Sequence, residues 1–187
     1  MAIKVWQARR YFDTRGWFSE TFSARQAADF GIHHIFVQDN QSYSEKRGTI
    51  RGIHFQVAPF EQAKLVRCVN GRVLDIVVDL RQGSPTYGQS LSVELTSRDG
   101  EQVFIPAGFG HAFVTLEDHC EVAYKVTQFY APQAEAGLRW DCPRLAIDWG
   151  PDGTEPVVSS KDAALPGLDG FASPFAYDGR PMILERF

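Results

Sequence analysis

The chain predicts an all-β fold of short antiparallel strands closed into a sandwich or barrel. Three observations carry this. Short runs of β-branched and aromatic residues follow one another through the middle of the chain, turn-forming Gly, Pro, Asn and Asp separate them, and helical periodicity is nearly absent. Fourteen Phe, six Tyr and four Trp suit pleated strands, an aromatic-lined pocket, or both.

Taken in order, Ala24 to Phe30 is the one early helix, with Ser23 placed as its N-cap and Gly31 as its stop. Ile35-Phe36-Val37 is a strand run. Lys64 to Val69 is the next, and Asn70-Gly71 then gives a type I′ hairpin signal. Arg72 to Arg81 follows, with Leu74, Ile76, Val78 and Leu80 on one face and Val73, Asp75, Val77 and Asp79 on the other. A face that mixes aliphatics with two carboxylates lines either a polar cavity or solvent, and the pattern leaves both open. Ser84 to Gly88 is a turn, Leu91 to Thr96 a strand, Arg98-Asp99-Gly100 a turn, and Gln102 to Pro106 a strand. Ala107 to Gly110 reads as a Gly-rich turn, and His111 to Leu116 with Cys120 to Tyr130 as a hairpin pair. Lys161 to Ala164 opens a short helical turn. From Trp149 onward Gly, Pro and Asp become frequent, and from about Asp169 an extended tail is expected, packed on a neighbouring subunit.

The length of 187 residues predicts a single domain spanning 1–187. A net charge of −4 gives no electrostatic reason to expect nucleic acid. No apolar stretch approaches the ~20 residues of a membrane span, and Met1 to Gln7 holds no cleavable hydrophobic run. Cys68, Cys120 and Cys142 are isolated and odd in number, as expected of reduced thiols in a cytoplasmic protein.

The chemistry concentrates in Arg51-Gly52-Ile53-His54-Phe55-Gln56, in Lys64, in Gly108 to Phe113 with His111 at its centre, and in Tyr124 and Tyr130. On a regular strand Arg51 and Ile53 share one face while Gly52, His54 and Gln56 share the other. A lone strand histidine is either a satisfied core residue or a base, and His111 either bonds backbone in its turn or meets a ligand. Lys64 weighs toward function, because a lysine inside a barrel is hard to excuse structurally. No His-x-His cluster, nucleophile paired with a base, or Gly-rich cofactor loop occurs. A base, a cation and a phenolic acid suit moving a proton beside a carbonyl. The expectation is therefore no metal and no cofactor.

Phe12-Asp13-Thr14-Arg15-Gly16 with Glu20, Phe36-Val37-Gln38-Asp39-Asn40, Arg51 to Gln56 and Gln62 to Val66 form an ordered set of motifs. Val78 to Arg81 with Ser84-Pro85-Thr86, Ile105 to Phe113, Tyr124-Lys125, Tyr130-Ala131-Pro132 and Ser160-Lys161-Asp162 continue it. On these motifs, from about Phe12 to Pro166, the chain resembles the dTDP-4-dehydrorhamnose 3,5-epimerase family of nucleotide-sugar enzymes. The resemblance implies a cupin-type jelly-roll barrel of antiparallel strands with a few short helices. It implies that His54 is the general base, oriented by Asp162, that Tyr124 delivers a proton to the opposite face, and that Lys64 stabilises the enolate oxygen. It further implies that Arg15, Glu20, Gln38, Asp39, Asn40, Arg51, His111, Glu135 and Lys161 bind the nucleotide-sugar substrate, and that Tyr130 stacks on thymine. A homodimer with exchanged N-terminal strands is implied as well, so that Arg15 and Glu20 serve the neighbour's site. Gly110 and Ala112 stand where the common family pattern has Ala and Gly. Two other readings remain open: epimerisation at carbon 3 or carbon 5 alone, and a non-catalytic sugar-nucleotide-binding cupin.

Overall fold

Strands that bury alternate side chains build two sheets packed face to face. The computed structural model describes residues 2–150 and 155–187; the Gly-, Pro- and Asp-containing stretch 151–154 and Met1 lie outside the described residues. The chain runs through β1 (Ile3–Gln7), β2 (Arg10–Asp13), β3 (Gly16–Ser19), α1 (Ala24–Asp29), β4 (Gln38–Ser44), β5 (Thr49–Gln56), β6 (Lys64–Asn70), β7 (Arg72–Asp79) and β8 (Ser90–Thr96). It continues through β9 (Glu101–Ile105), β10 (Phe109–Thr115), β11 (Cys120–Val126), β12 (Glu135–Gly137), β13 (Val157–Val158), α2 (Ser160–Ala163) and β14 (Leu184–Arg186). The first sheet has the order β14-β1-β9-β6-β11-β4; the second has β12-β5-β10-β7-β8, with β13 added beside β5. From β4 to β12 the chain passes repeatedly between the sheets, which gives the cupin-type jelly-roll barrel. Pairing is antiparallel except at β1–β14 and β5–β13.

That alternation corrects two expectations. Asn70-Gly71 does not close a hairpin: β6 pairs with β9 and β11, and β7 with β8 and β10. The turn is a corner between sheets. Gly71 has φ +79°, and a Cβ there would lie 2.7 Å from Cys120 Sγ, so the corner needs glycine as much as a hairpin would. Likewise β10 and β11 belong to different sheets and do not pair. The strand expected at residues 35–37 starts at Gln38 instead, and the expected turn at 107–110 gives way to strand from Phe109, which puts His111 on β10.

The inter-sheet core joins Val66 and Cys68 of β6, Val103 and Ile105 of β9 and Val122 of β11 to Val73 and Val77 of β7 and Phe109 and Phe113 of β10. The outer face of the second sheet is covered too, because Ile76, Val78 and Leu80 pack on Leu138, Leu145, Leu168 and Phe175. Burial on both faces explains why β7 carries aliphatic residues on both of its faces. The outer face of the first sheet packs Leu65 and Phe104 against Trp6, Ala27 and Ile32. Ala27 anchors α1, where Ser23 takes the N-cap position without a side-chain capping bond.

The tail expected to pack on a neighbouring subunit runs back along its own chain. Phe171 and Phe175 join the outer core, and Arg81 donates to Asp178 Oδ1 and to the Arg180 carbonyl. β14 then closes the edge of β1, and Phe187 stacks on Phe30 with ring centroids 4.6 Å apart. By contrast the β2–β3 hairpin leaves Tyr11, Phe12, Trp17 and Phe18 exposed. Cys68, Cys120 and Cys142 are buried free thiols.

Candidate active site

At one end of the inter-sheet space the apolar residues give way to polar ones on the same strand faces. On β6, Lys64 continues the inward row of Val66 and Cys68; on β11, Tyr124 continues the row of Val122. On β10, His111 lies between Phe109 and Phe113, and on β7, Asp75 lies between Val73 and Val77. Period-two alternation thus turns all four side chains into one space.

His54 reaches this space through an irregularity. His111 pairs with His54 and Phe113 with Arg51, so β5 carries one extra residue opposite β10. Gly52 absorbs it at φ +127°, with its backbone against Ala112. In consequence Arg51 and His54 line the same cavity, whereas Ile53 and Phe55 pack in the outer core. The expected grouping of Arg51 with Ile53 is therefore overturned by the bulge.

The cavity, about 540 Å³, is lined by Arg51, His54, Lys64, His111, Phe113 and Tyr124, with Glu135 and Asp162 at its margin. A smaller lobe shares His54, Lys64 and Tyr124 and adds Gln38, Asn40, Gln62 and Tyr130. His54 Nε2 donates to Asp162 Oδ1 at 2.8 Å, and Asp162 Oδ2 accepts the Gly52 N–H at 3.2 Å. Asp162 is buried in α2, and its own N–H donates to the Ser159 hydroxyl at the N-cap. With Nε2 committed, the Nδ1 lone pair of His54 is free for a proton. Burial lowers the His54 pKa below 6.5, against the opposing pull of Asp162, so the ring is a neutral base at neutral pH. Lys64 Nζ makes one long bond, 3.4 Å to the His54 carbonyl, and burial brings its pKa down to about 8. Burial raises the Tyr124 phenol above 10, which keeps its proton available. His111 Nε2 donates to Asp75 Oδ2 at 2.7 Å. The two carboxylates of β7 are therefore not solvated: Asp75 serves the cavity, and Asp79 is locked by Arg81, Ser84 and Thr86.

The mouth is braced by Glu135, which accepts from Lys161 Nζ at 2.7 Å and from the Tyr130 hydroxyl at 2.8 Å. The Lys161 ammonium holds the Glu135 carboxyl below the usual range. Gln38 Nε2 donates to Asn40 Oδ1, and Gln38 Oε1 accepts the Tyr130 N–H. Arg51 is held by Ser44 Oγ and the Tyr43 carbonyl.

Three expected residues are not brought to this cavity. Asp39 alternates away from Gln38 and Asn40, bonds Lys125 Nζ at 2.8 Å and lines another hollow beside Lys125 and Arg67. Arg15 stands at the exposed β2–β3 turn, paired with Asp13, and Glu20 is exposed just beyond β3. Sequence reasoning missed Phe113 and Gln62 as lining residues and Asp75 as the partner of His111. Phe113 was within reach, since it lies two residues after His111 on the same face; the Asp75 pairing leaves no local signal. Among the described residues no three His, Cys, Asp or Glu side chains converge as a metal set, and no helix is long and apolar enough to cross a membrane.

A neutral base, a buried ammonium and a protonated phenol around one cavity can remove a proton beside a carbonyl, hold the resulting enolate, and return a proton from another side. The family model described as dTDP-4-dehydrorhamnose 3,5-epimerase matches residues 2–170. The dTDP-4-dehydrorhamnose 3,5-epimerase of Sinorhizobium fredii is 44% identical over 179 residues, covering 94% of this chain and 89% of that protein. The crystal structure of dTDP-6-deoxy-D-glucose-3,5-epimerase from Legionella pneumophila, in complex with dTDP-4-keto-L-rhamnose, matches with a TM-score of 0.86 at 40% identity, with 92% of each chain covered. A 3'-monoepimerase from Streptomyces bikiniensis in complex with dTDP-quinovose matches with a TM-score of 0.81 at 36% identity, covering 88% of this chain and 83% of that one.

Proposed function

The chain belongs to the dTDP-4-dehydrorhamnose 3,5-epimerase family, and on that footing we propose that it epimerises dTDP-4-dehydro-6-deoxy-D-glucose at carbons 3 and 5, in dTDP-L-rhamnose biosynthesis. The observation that carries this reading is the convergence of His54, Lys64 and Tyr124 on one cavity from two facing sheets. His54 Nδ1 takes the proton from the carbon beside the C4 ketone, and the electron pair moves onto the carbonyl oxygen. The Lys64 ammonium meets that enolate oxygen, so its attraction is strongest where charge develops. As the enolate collapses to the ketone, the Tyr124 hydroxyl gives its proton to the carbon from the opposite face. His54 then releases its proton to solvent and Tyr124 takes one back from it. Asp162 keeps the His54 ring in the required tautomer and orientation.

Gln38, Asn40, Arg51, His111, Tyr130, Glu135 and Lys161 hold the nucleotide sugar, with the Tyr130 ring at the mouth as the platform for the base. Arg15, Glu20 and Asp39 lie away from this cavity. The exposed aromatic hairpin that bears Arg15 supports a homodimer in which Arg15 and Glu20 enter the partner's site. A single domain carries the whole activity, and the three buried free thiols support a reducing, cytoplasmic setting.

The test is incubation with dTDP-4-dehydro-6-deoxy-D-glucose in deuterated water, with the product followed by NMR. Deuterium and inverted configuration at both carbons are expected. Inversion at carbon 3 or carbon 5 alone would make the chain a mono-epimerase, the activity of the Streptomyces bikiniensis match. Absence of both exchange and inversion would leave a binding protein.

A further inference from the structure

Asp75 faces the cavity space with none of its surface exposed, and only half of its carboxylate is used. Oδ2 accepts from His111, while Oδ1 has no hydrogen-bond partner. A buried acceptor left bare costs roughly 1–3 kcal/mol, and more when charged. Such an oxygen calls for a donor that the resting arrangement has not fully engaged. Lys64, on the facing sheet, is that donor: it is buried, and its ammonium makes only the long bond to the His54 carbonyl. Around Lys64 stand His54 and Arg51 from β5, His111 from β10, Tyr124 from β11, Glu135 from β12 and Asp75 from β7. Asp162 of α2 lines the cavity as well, but it is committed to His54 and the Gly52 N–H. Glu135 is already committed to Lys161 and Tyr130, and Asp75 opposes the effect of burial on Lys64 more strongly than Glu135 does.

We propose that Asp75 is a positioning residue that serves two substrate-facing donors at once. One oxygen fixes the His111 ring. The other is the counter-charge of Lys64, met directly or through one water, and it keeps the ammonium charged and aimed at the carbonyl oxygen. The inference rests on the enolate-stabilising role of Lys64 stated above. It also accounts for a fully buried carboxylate behind His111: without it, the effect of burial on Lys64 would be opposed by less negative charge.

Asp75→Asn tests this, because it keeps the shape and an acceptor for His111 but removes the charge. The expected variant has a wild-type circular dichroism spectrum and a KM within about threefold, and kcat falls roughly threefold at pH 7.5 and approaches tenfold above about pH 9, as a one-unit fall in the Lys64 pKa from about 8 would give. The alkaline limb of its kcat profile moves to lower pH, and the deficit narrows as the pH is lowered. A kcat loss uniform in pH, with the alkaline limb unmoved, would make Asp75 a structural partner of His111 and overturn the proposal. If the variant does not fold, the wild type serves: the ¹³Cγ resonance of Asp75 should inflect at the pH where ¹³Cε of Lys64 titrates, and a flat Asp75 response there would overturn it. Lys64→Ala separates the two levels. Undiminished kcat in that variant removes the role of Lys64 itself, whereas the paired NMR inflection reads the Asp75–Lys64 coupling independently of catalysis.

Discussion

Tyr124 and His54 enter the cavity from opposite sheets, as the proposed division of the inversion between them requires. Tyr124→Phe keeps the ring in its packing but removes the proton it would deliver. In deuterated water the variant should still exchange hydrogen beside the carbonyl through His54, while inversion slows by roughly 10²-fold or more. Equal loss of exchange and inversion, followed by NMR in one tube, would reduce Tyr124 to a positioning group. The pH profile belongs to the same scale. His54 must be neutral to act, and its pKa is lowered from 6.5, so the acid limb of kcat/KM should lie below 6.5. Lys64 must be protonated, so the alkaline limb should fall near about 8. An acid limb above pH 7 would assign the base elsewhere. Residue types were legible in the chain because their chemistry is unusual for strand interiors. The Asp162 partner of His54 came with the family resemblance, but the partner of His111 did not: Asp75 and His111 meet across two strands, a relation without a sequence pattern, and strand alternation turns Asp39, which the motif points to, to the outer face.

The element that matters most is β5. Its extra residue brings Arg51 and His54 to one face, and Gly52 makes the bend possible. A Cβ at Gly52 would lie 2.5 Å from Ala112 Cβ and 2.7 Å from the His111 carbonyl oxygen. Gly52→Ala should therefore destabilise the fold by about 2 kcal/mol or more and lower kcat more than the stability loss explains, because the base is displaced. Urea unfolding at fixed protein concentration, with kcat measured well below the transition, checks both; a change under ~0.5 kcal/mol with normal kcat would show the backbone relaxing freely. The bulge was invisible to alternation counting, which presumes a regular strand. The Asn70-Gly71 corner shows the same limit: the residues declare a tight turn at positive φ, but which sheet receives the next strand is decided by long-range pairing.

At the scale of the molecule, the two-sheet barrel was legible because each strand writes its period into the sequence, and the division of apolar residues into three cores follows from it. The course of the tail was not legible because a Gly- and Pro-rich segment carries no such period; it is held by a few anchors, among them Phe175, Arg81 and Phe187. The proposed exchange of hairpins predicts complementation. Arg15→Ala and His54→Ala homodimers should each be nearly inactive, yet an equal mixture allowed to exchange subunits should recover roughly a quarter of wild-type activity, since half of the mixed dimers' sites are intact. No recovery under conditions where native mass spectrometry shows mixed dimers would place Arg15 in its own subunit's chemistry or outside it.

The proposed base stands on one sheet and the proposed acid and cation on the other, so the distance between them is set by the thickness of the aliphatic layer beneath the cavity. Val66, Val77 and Val103 thus act as a spacer whose bulk bears on the gap across which a proton would be handed. Catalytic selectivity in this chain is open to change by residues that never meet the sugar, and a valine-to-isoleucine exchange in that layer is as much an edit of the reaction as of the fold.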